Sequence, residues 1–168
     1  SGFGEATAML AAQEGWRLIL TGRRVDRLAR VAKACGDLVL MTLVFDGRDR
    51  TAVCDALASI PEECVPDVLV NNAGLAVGSE PIDKGVYDDW DRMLDTNIKG
   101  LLHVSREMTP RLKRGARIIN VGSVAGRQAY PGGAVYNASK FAVDGLTQAM
   151  RMDLLPRGIQ VAQVAPGA

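Results

Sequence analysis

Short runs rich in Val, Ile and Leu alternate with longer stretches of helical periodicity along this whole chain, and that rhythm restricts the fold more than any single motif. The runs 16–21, 38–45, 66–71, 117–121 and 159–164 are bounded by Gly, Pro, Asp or Asn. Each reads as a strand buried on both faces, the pattern of a parallel sheet. Helices are expected between them at 5–14, 26–34, 49–59, 88–114 and 133–155. Gly15, Gly36 and Gly115 are placed as C-terminal stops and Asp26 and Asp49 as N-caps. The expected class is therefore α/β, a doubly wound parallel sheet with helices on both faces.

At 168 residues the chain fits one domain. Its 48% hydrophobic content supplies a sizeable core, burying roughly 70% of the surface that the unfolded chain exposes. Lys and Arg number 20 against 19 Asp and Glu, a balance with no excess field to draw nucleic acid or an anionic membrane. No run reaches the roughly 20 apolar residues of a membrane span, and the first residues lack the order of a signal peptide. A soluble cytoplasmic protein is expected. Cys35, Cys54 and Cys64 are odd in number and form no CxxC pair, and the chain has one histidine. No metal centre or disulfide framework is expected.

The two ends carry glycine. Ser1-Gly2-Phe3-Gly4 stands directly before a helical stretch, where a nucleotide-binding domain has a strand and the first half of a glycine loop. Pro166-Gly167-Ala168 follows a strand, on the side where open α/β sheets bind ligands. The expectation is a partial dinucleotide-binding and catalytic domain over 1–168, lacking its first strand and its C-terminal part. Gly2-Phe3-Gly4 at a helix start lets backbone N–H groups and the positive helix end approach a pyrophosphate. About 20 residues on, where an adenosine ribose would lie, the strand ends in Thr21-Gly22-Arg23-Arg24. No carboxylate is there to hold a 2′-hydroxyl, whereas two guanidiniums fit a 2′-phosphate. NADP is favoured over NAD, the alternative being a solvated basic turn.

Tyr136 and Lys140 stand four residues apart in a helical stretch and share one face. A phenol with pKa near ~10 is a poor acid or base at neutral pH, and an adjacent ammonium pulls that value toward working pH. Ser123 follows the strand-like Ile118-Ile119-Asn120-Val121-Gly122 and sits at the ligand end of the sheet, where its hydroxyl can stabilise charge on a substrate oxygen. Serine–histidine hydrolysis is disfavoured, because His103 lies in a helical stretch and no G-x-S-x-G surrounds Ser123. His103 reads as a packing or surface residue.

Gly2-Phe3-Gly4, Asn71-Asn72-Ala73-Gly74, Asn97, Ser123, Tyr136-x-x-x-Lys140 and Pro166-Gly167 stand in the order and spacing of the short-chain dehydrogenase/reductase family. The chain resembles that family along essentially its entire length, although the first part of the T-G-x-x-x-G-x-G loop is absent. The resemblance implies a Rossmann-like fold with Tyr136 as acid/base and Lys140 holding the nicotinamide ribose. It also implies Ser123 on the substrate oxygen and Asn97 supporting a proton relay through water. Gly2, Phe3 and Gly4 would meet the phosphates, Arg23 and Arg24 the 2′-phosphate, and Asp46 the adenine, with Gly47 beside it where many relatives have a bulkier residue. Asn71 and Asn72 would pass along the cofactor and Pro166 and Gly167 would border the nicotinamide. Asn71 and Asn72 also fit a purely sheet-stabilising role, and Asp46 fits a strand terminator.

Within the family, Thr21 to Leu28, Asn71 to Leu75 and Tyr130 to Tyr136 look most like NADP-dependent 3-hydroxy acid dehydrogenases, the group that includes serine dehydrogenases. The activity implied is hydride transfer between a secondary alcohol or ketone, a small 3-hydroxy acid first of all, and NADP. The alternatives are reduction of a bulkier ketone or carrier-bound 3-oxoacyl group, and an NADP-sensing module without catalysis. Arg127 is the nearest candidate for a substrate carboxylate, and equally a surface or subunit-contact residue. The family also implies a homotetramer or dimer.

Overall fold

The computed structural model describes residues 2–167, so Ser1 and Ala168 lie outside the described residues. Strands form on the β-branched runs: β1 (Leu18–Gly22), β2 (Val39–Val44), β3 (Val68–Asn71), β4 (Arg117–Val121) and β5 (Gln160–Val164). Between them lie α1 (Phe3–Gln13), α2 (Val25–Cys35), α3 (Arg50–Ala58), α4 (Tyr87–Leu94), α5 (Gly100–Met108) and α6 (Ala134–Leu154). Gly15, Gly36 and Gly115 take φ of +80°, +64° and +90°, the left-handed backbone that stops a helix cheaply only at glycine. Asp49 caps α3, its carboxylate accepting the Ala52 amide at 3.1 Å. Asp26 is not a cap: Arg24 holds that position with extended backbone, and Asp26 falls in the first turn, where its charge meets the positive helix end.

The single helix expected at 88–114 is two helices. A π-helical turn, Asp95–Lys99, joins α4 to α5, and a 3₁₀ turn at Thr109–Arg111 carrying Pro110 ends the second helix. The extra residue in the π turn carries Asn97 into the interior, where it is 2% exposed.

All strand pairs are parallel, but the ladder is in two parts, β1-β2 and β3-β4-β5, rather than one continuous sheet. A shared apolar layer joins them. Leu43, Leu69, Ile118 and Val161 from four strands meet Val53 and Leu57 of α3, Met108 of α5 and Leu154 of α6, and Ile19 of β1 packs against the same cluster. On the opposite face Leu18 and Leu20 meet Ala8 of α1 and Leu28, Val31 and Cys35 of α2. Ile19 on one face and its neighbours on the other is the period-2 alternation of a strand covered on both sides. The result is a Rossmann-like α/β fold in which helices cover both faces of β1, whereas alternate residues of β5, Val164 among them, are exposed on one side. Ile118 is 0% exposed at the centre of the larger cluster. Ile118→Ala should therefore lower unfolding free energy by about 2–5 kcal/mol, read from the urea midpoint at unchanged m-value.

Candidate functional site

The residues that sequence reasoning singles out gather where the strands end. Asn71 closes β3, Ser123 follows β4 by two residues, and Pro166-Gly167 follow β5. The Val124 amide donates to the Pro166 carbonyl at 3.0 Å, and Gly122 N–H to the Val164 carbonyl at 2.8 Å. Ser123 and Pro166-Gly167 are thereby held against each other. The Ser123 hydroxyl oxygen accepts the Ala125 amide at 3.1 Å, which opens a short 3₁₀ turn over Val124–Gly126 and fixes the side chain. Ser123 is 9% exposed.

Tyr136 and Lys140 lie on one face of α6, with the Lys140 ammonium 5.8 Å from the Tyr136 ring centroid. Lys140 Nζ donates to the Val121 carbonyl at 3.0 Å, so the end of β4 aims it. Its burial pushes the ammonium pKa below the ordinary lysine value. Asn97 is held on three sides. Its Oδ1 accepts the Leu75 amide at 2.8 Å, while Nδ2 donates to the Leu75 carbonyl and to Ser139 Oγ, both at 2.9 Å. Ser139 Oγ in turn donates to the Tyr136 carbonyl at 2.7 Å. The π turn, the segment after β3 and the Tyr136 turn of α6 are thus wired together. Gly74 sits at their meeting point: a Cβ there would stand 3.4 Å from Asn97 Oδ1 and 3.5 Å from Lys140 Nζ.

The Asn71 side chain faces inward. Nδ2 donates to Ser105 Oγ at 3.0 Å and to Asn120 Oδ1 at 2.9 Å, and Asn120 donates to Thr147 Oγ1 at 2.9 Å. This buried chain ties β3, β4, α5 and α6 together, so the Asn71 side chain serves the sheet. Asn72 lies against the first turn of α1, where a Cβ on Gly4 would meet its side-chain amide. Gly2 stands at the N-cap of α1 with φ +59°, and Phe3 is 62% exposed. A helix start with two glycines offers unhindered N–H groups and a positive end, which suits a phosphate.

At the ends of β1 and β2, Arg23 Nη1 lies 3.8 Å from Asp46 Oδ2. Arg48 grips the same carboxylate from the other side, at 2.7 Å from Nη2 and 3.0 Å from Nε. Arg48 above all holds the Asp46 carboxyl below its usual pKa. Arg23 keeps a half-exposed side chain at this spot, a donor of the kind that suits a phosphate. His103, the sole histidine, packs with Nδ1 2.9 Å from the Gly47 carbonyl.

Beside Tyr136 a cleft is lined by Val77, Glu80, Trp90, Met93 and Val135 among others. Arg127 is exposed and not among its lining residues. Sequence reasoning passed over Ser139 and Arg48. Ser139 stands next to Lys140, but its link to Asn97 spans 42 positions and has no local pattern. Arg48 had a visible sign, a guanidinium two residues after a strand-end Asp. Among the described residues no helix is long and apolar enough to cross a membrane.

The short chain dehydrogenase family model matches residues 1–168. The chain is 46% identical to sulfoacetaldehyde reductase 2 of Chromohalobacter salexigens, over 99% of its own length and 68% of the relative's. It is 41% identical to the NADP-dependent 3-hydroxy acid dehydrogenase YdfG of Escherichia coli K12, with the same two coverages. The closed form of a serine dehydrogenase complexed with NADP+ superposes with a TM-score of 0.90 at 40% identity, covering 98% of this chain and 68% of that one.

Proposed function

This chain belongs to the short-chain dehydrogenase family, and from that premise we propose that it transfers a hydride reversibly between a small hydroxy acid and NADP. The observation that carries the proposal is that Ser139 joins Asn97 to the Tyr136 turn of α6 while Lys140, held by the Val121 carbonyl at the end of β4, stands over the Tyr136 ring. When bound, NADP supplies the hydride chemistry through its nicotinamide ring. The protein's own part is placement and proton handling. Tyr136 takes the hydroxyl proton during oxidation and returns it during reduction. Lys140, aimed by Val121, holds the nicotinamide ribose and keeps a positive charge beside the phenol. Ser123, fixed by Ala125, donates to the substrate oxygen where charge develops. Asn97 holds the surrounding chain in register and supports a water relay.

Gly2, Phe3 and Gly4 take the pyrophosphate, Arg23 and Arg24 the 2′-phosphate, Asp46 the adenine edge, and Asn72 with Pro166 and Gly167 the remaining length of the cofactor. The relative named for NADP-dependent 3-hydroxy acids supports both the cofactor and the substrate class. A homo-oligomer in the cytoplasm belongs to the same reading. Leu102 on α5 and Phe141 on α6, 40% and 47% exposed, are apolar positions available to a second copy.

The test is a rate survey of the full-length protein with NADPH and NADH against small oxo and hydroxy acids, sugars, steroids and simple ketones. The expected result is NADPH-preferring turnover concentrated on the small acids. Turnover confined to bulky or carrier-bound ketones would overturn the substrate class. NADPH binding without turnover of any member would favour a sensing module.

A further inference from the structure

The proposed roles leave Arg48, the close partner of Asp46, without one. Arg48 and Arg23 converge on one oxygen, Asp46 Oδ2, but unequally: Arg48 Nη2 lies at 2.7 Å and Arg23 Nη1 at 3.8 Å. Arg48 further satisfies Asp46 Oδ1 twice, through its own backbone amide and its Nε, each at 3.0 Å. Both carboxylate oxygens are thereby occupied from the Arg48 side in a bidentate arrangement, the strongest geometry open to this pair. The turn that carries the pair is fixed. The Gly47 carbonyl faces His103 Nδ1 at 2.9 Å, and a Cβ on Gly47 would touch the Gly100 backbone of α5 at 3.7 Å.

This geometry has an electrostatic consequence for Arg23. A carboxylate without Arg48 has two uses for its charge at this spot: it draws the Arg23 guanidinium onto itself, and it repels any dianion that Arg23 would otherwise hold. With Arg48 in place the carboxylate is satisfied elsewhere, and Arg23 keeps a half-exposed side chain, 51% accessible, with its guanidinium at the longer distance. We propose that Arg48 is a positioning residue for cofactor choice: by saturating Asp46 it reserves Arg23 for the 2′-phosphate, so that the preference for NADP over NAD depends on a side chain that does not touch the phosphate. The proposal rests on the reading above that Arg23 meets that phosphate.

The test is equilibrium titration of the full-length protein with NADPH and with NADH, followed by cofactor fluorescence in the absence of substrate. Arg48→Ala should weaken NADPH by about fivefold at low salt, the scale of one near-surface charge interaction, and change NADH much less. The effect should shrink as ionic strength rises. Asp46→Asn combined with Arg48→Ala should recover the wild-type ratio of the two affinities, because the carboxylate that captures Arg23 is gone. A double variant that stays as weak for NADPH as Arg48→Ala would instead put Arg48 on the phosphate itself and overturn the proposal. Arg23→Ala separates the two levels. If it lowers the NADPH preference while Arg48→Ala leaves it unchanged, the positioning role is refuted and the phosphate reading stands. If Arg23→Ala leaves the preference unchanged, the phosphate reading and the proposal built on it are both refuted.

Discussion

Turnover of a Tyr136→Phe variant is expected to fall by about a thousandfold, within the range that a positioned proton donor contributes, while NADPH binding stays within about twofold of wild type. The reason is geometric. The Lys140 ammonium lies 5.8 Å from the ring centroid, and Ser139 bonds the Tyr136 backbone carbonyl at 2.7 Å. None of these contacts uses the hydroxyl oxygen, so phenylalanine preserves the packing and removes only the group that exchanges the proton. Steady-state rates with the best small acid, set beside a fluorescence titration with NADPH, give both quantities. Near-normal turnover would show that another group moves the proton.

The second large effect concerns Lys140. Lys140→Met keeps the stem's packing volume but removes the ammonium that Val121 aims, and turnover should fall by about a hundredfold or more with NADPH binding visibly weaker. A stability signature accompanies it. Burial lowers the folded-state pKa of Lys140 from 10.5, so at alkaline pH the unfolded chain binds the proton that the folded chain has released. Stability from this group therefore rises with pH, beginning as pH approaches the lowered value and ending near 10.5, and its cost is fully present below that window. Urea midpoints measured at neutral pH and at about pH 9.5 should climb for wild type relative to Lys140→Met. Parallel pH dependence in the two proteins would contradict the buried-ammonium assignment.

Much of this was legible in the residues, for physical reasons that also mark where reading stops. Strands at 117–121 and 159–164 are found within a residue of their expected bounds, because short β-branched runs put Ile118 and Val161 into the core while alternate residues point the other way. Asp49 caps as expected because its carboxylate reaches a local amide. Asp26 does not, since the extended backbone that defines the cap falls two residues earlier. The π turn at Asp95–Lys99 escaped notice because one inserted residue barely disturbs a 3.6-residue rhythm. What holds it is tertiary, the Asn97 bonds to Leu75 and Ser139.

The division of the ladder between β1-β2 and β3-β4-β5 is likewise invisible in a string of strands, which records order but not hydrogen bonding. Tyr136 and Lys140 could be paired from their spacing, since four residues on a helix make neighbours. The Asn71–Asn120–Thr147 chain could not, because its members lie 49 and 27 positions apart. Asn71, expected along the cofactor, bonds Ser105 and Asn120 through its side chain, the sheet-stabilising role that its position also fits.

Tyr136 and Lys140 should address one and the same end of a bound dinucleotide. The structure of the full-length protein grown with NADP+ tests it directly. The nicotinamide ring is expected beside the Tyr136 oxygen, with its ribose hydroxyls within about 2.7–3.2 Å of Lys140 Nζ. A nicotinamide lodged away from α6, with Lys140 still bonded only to the Val121 carbonyl, would contradict it.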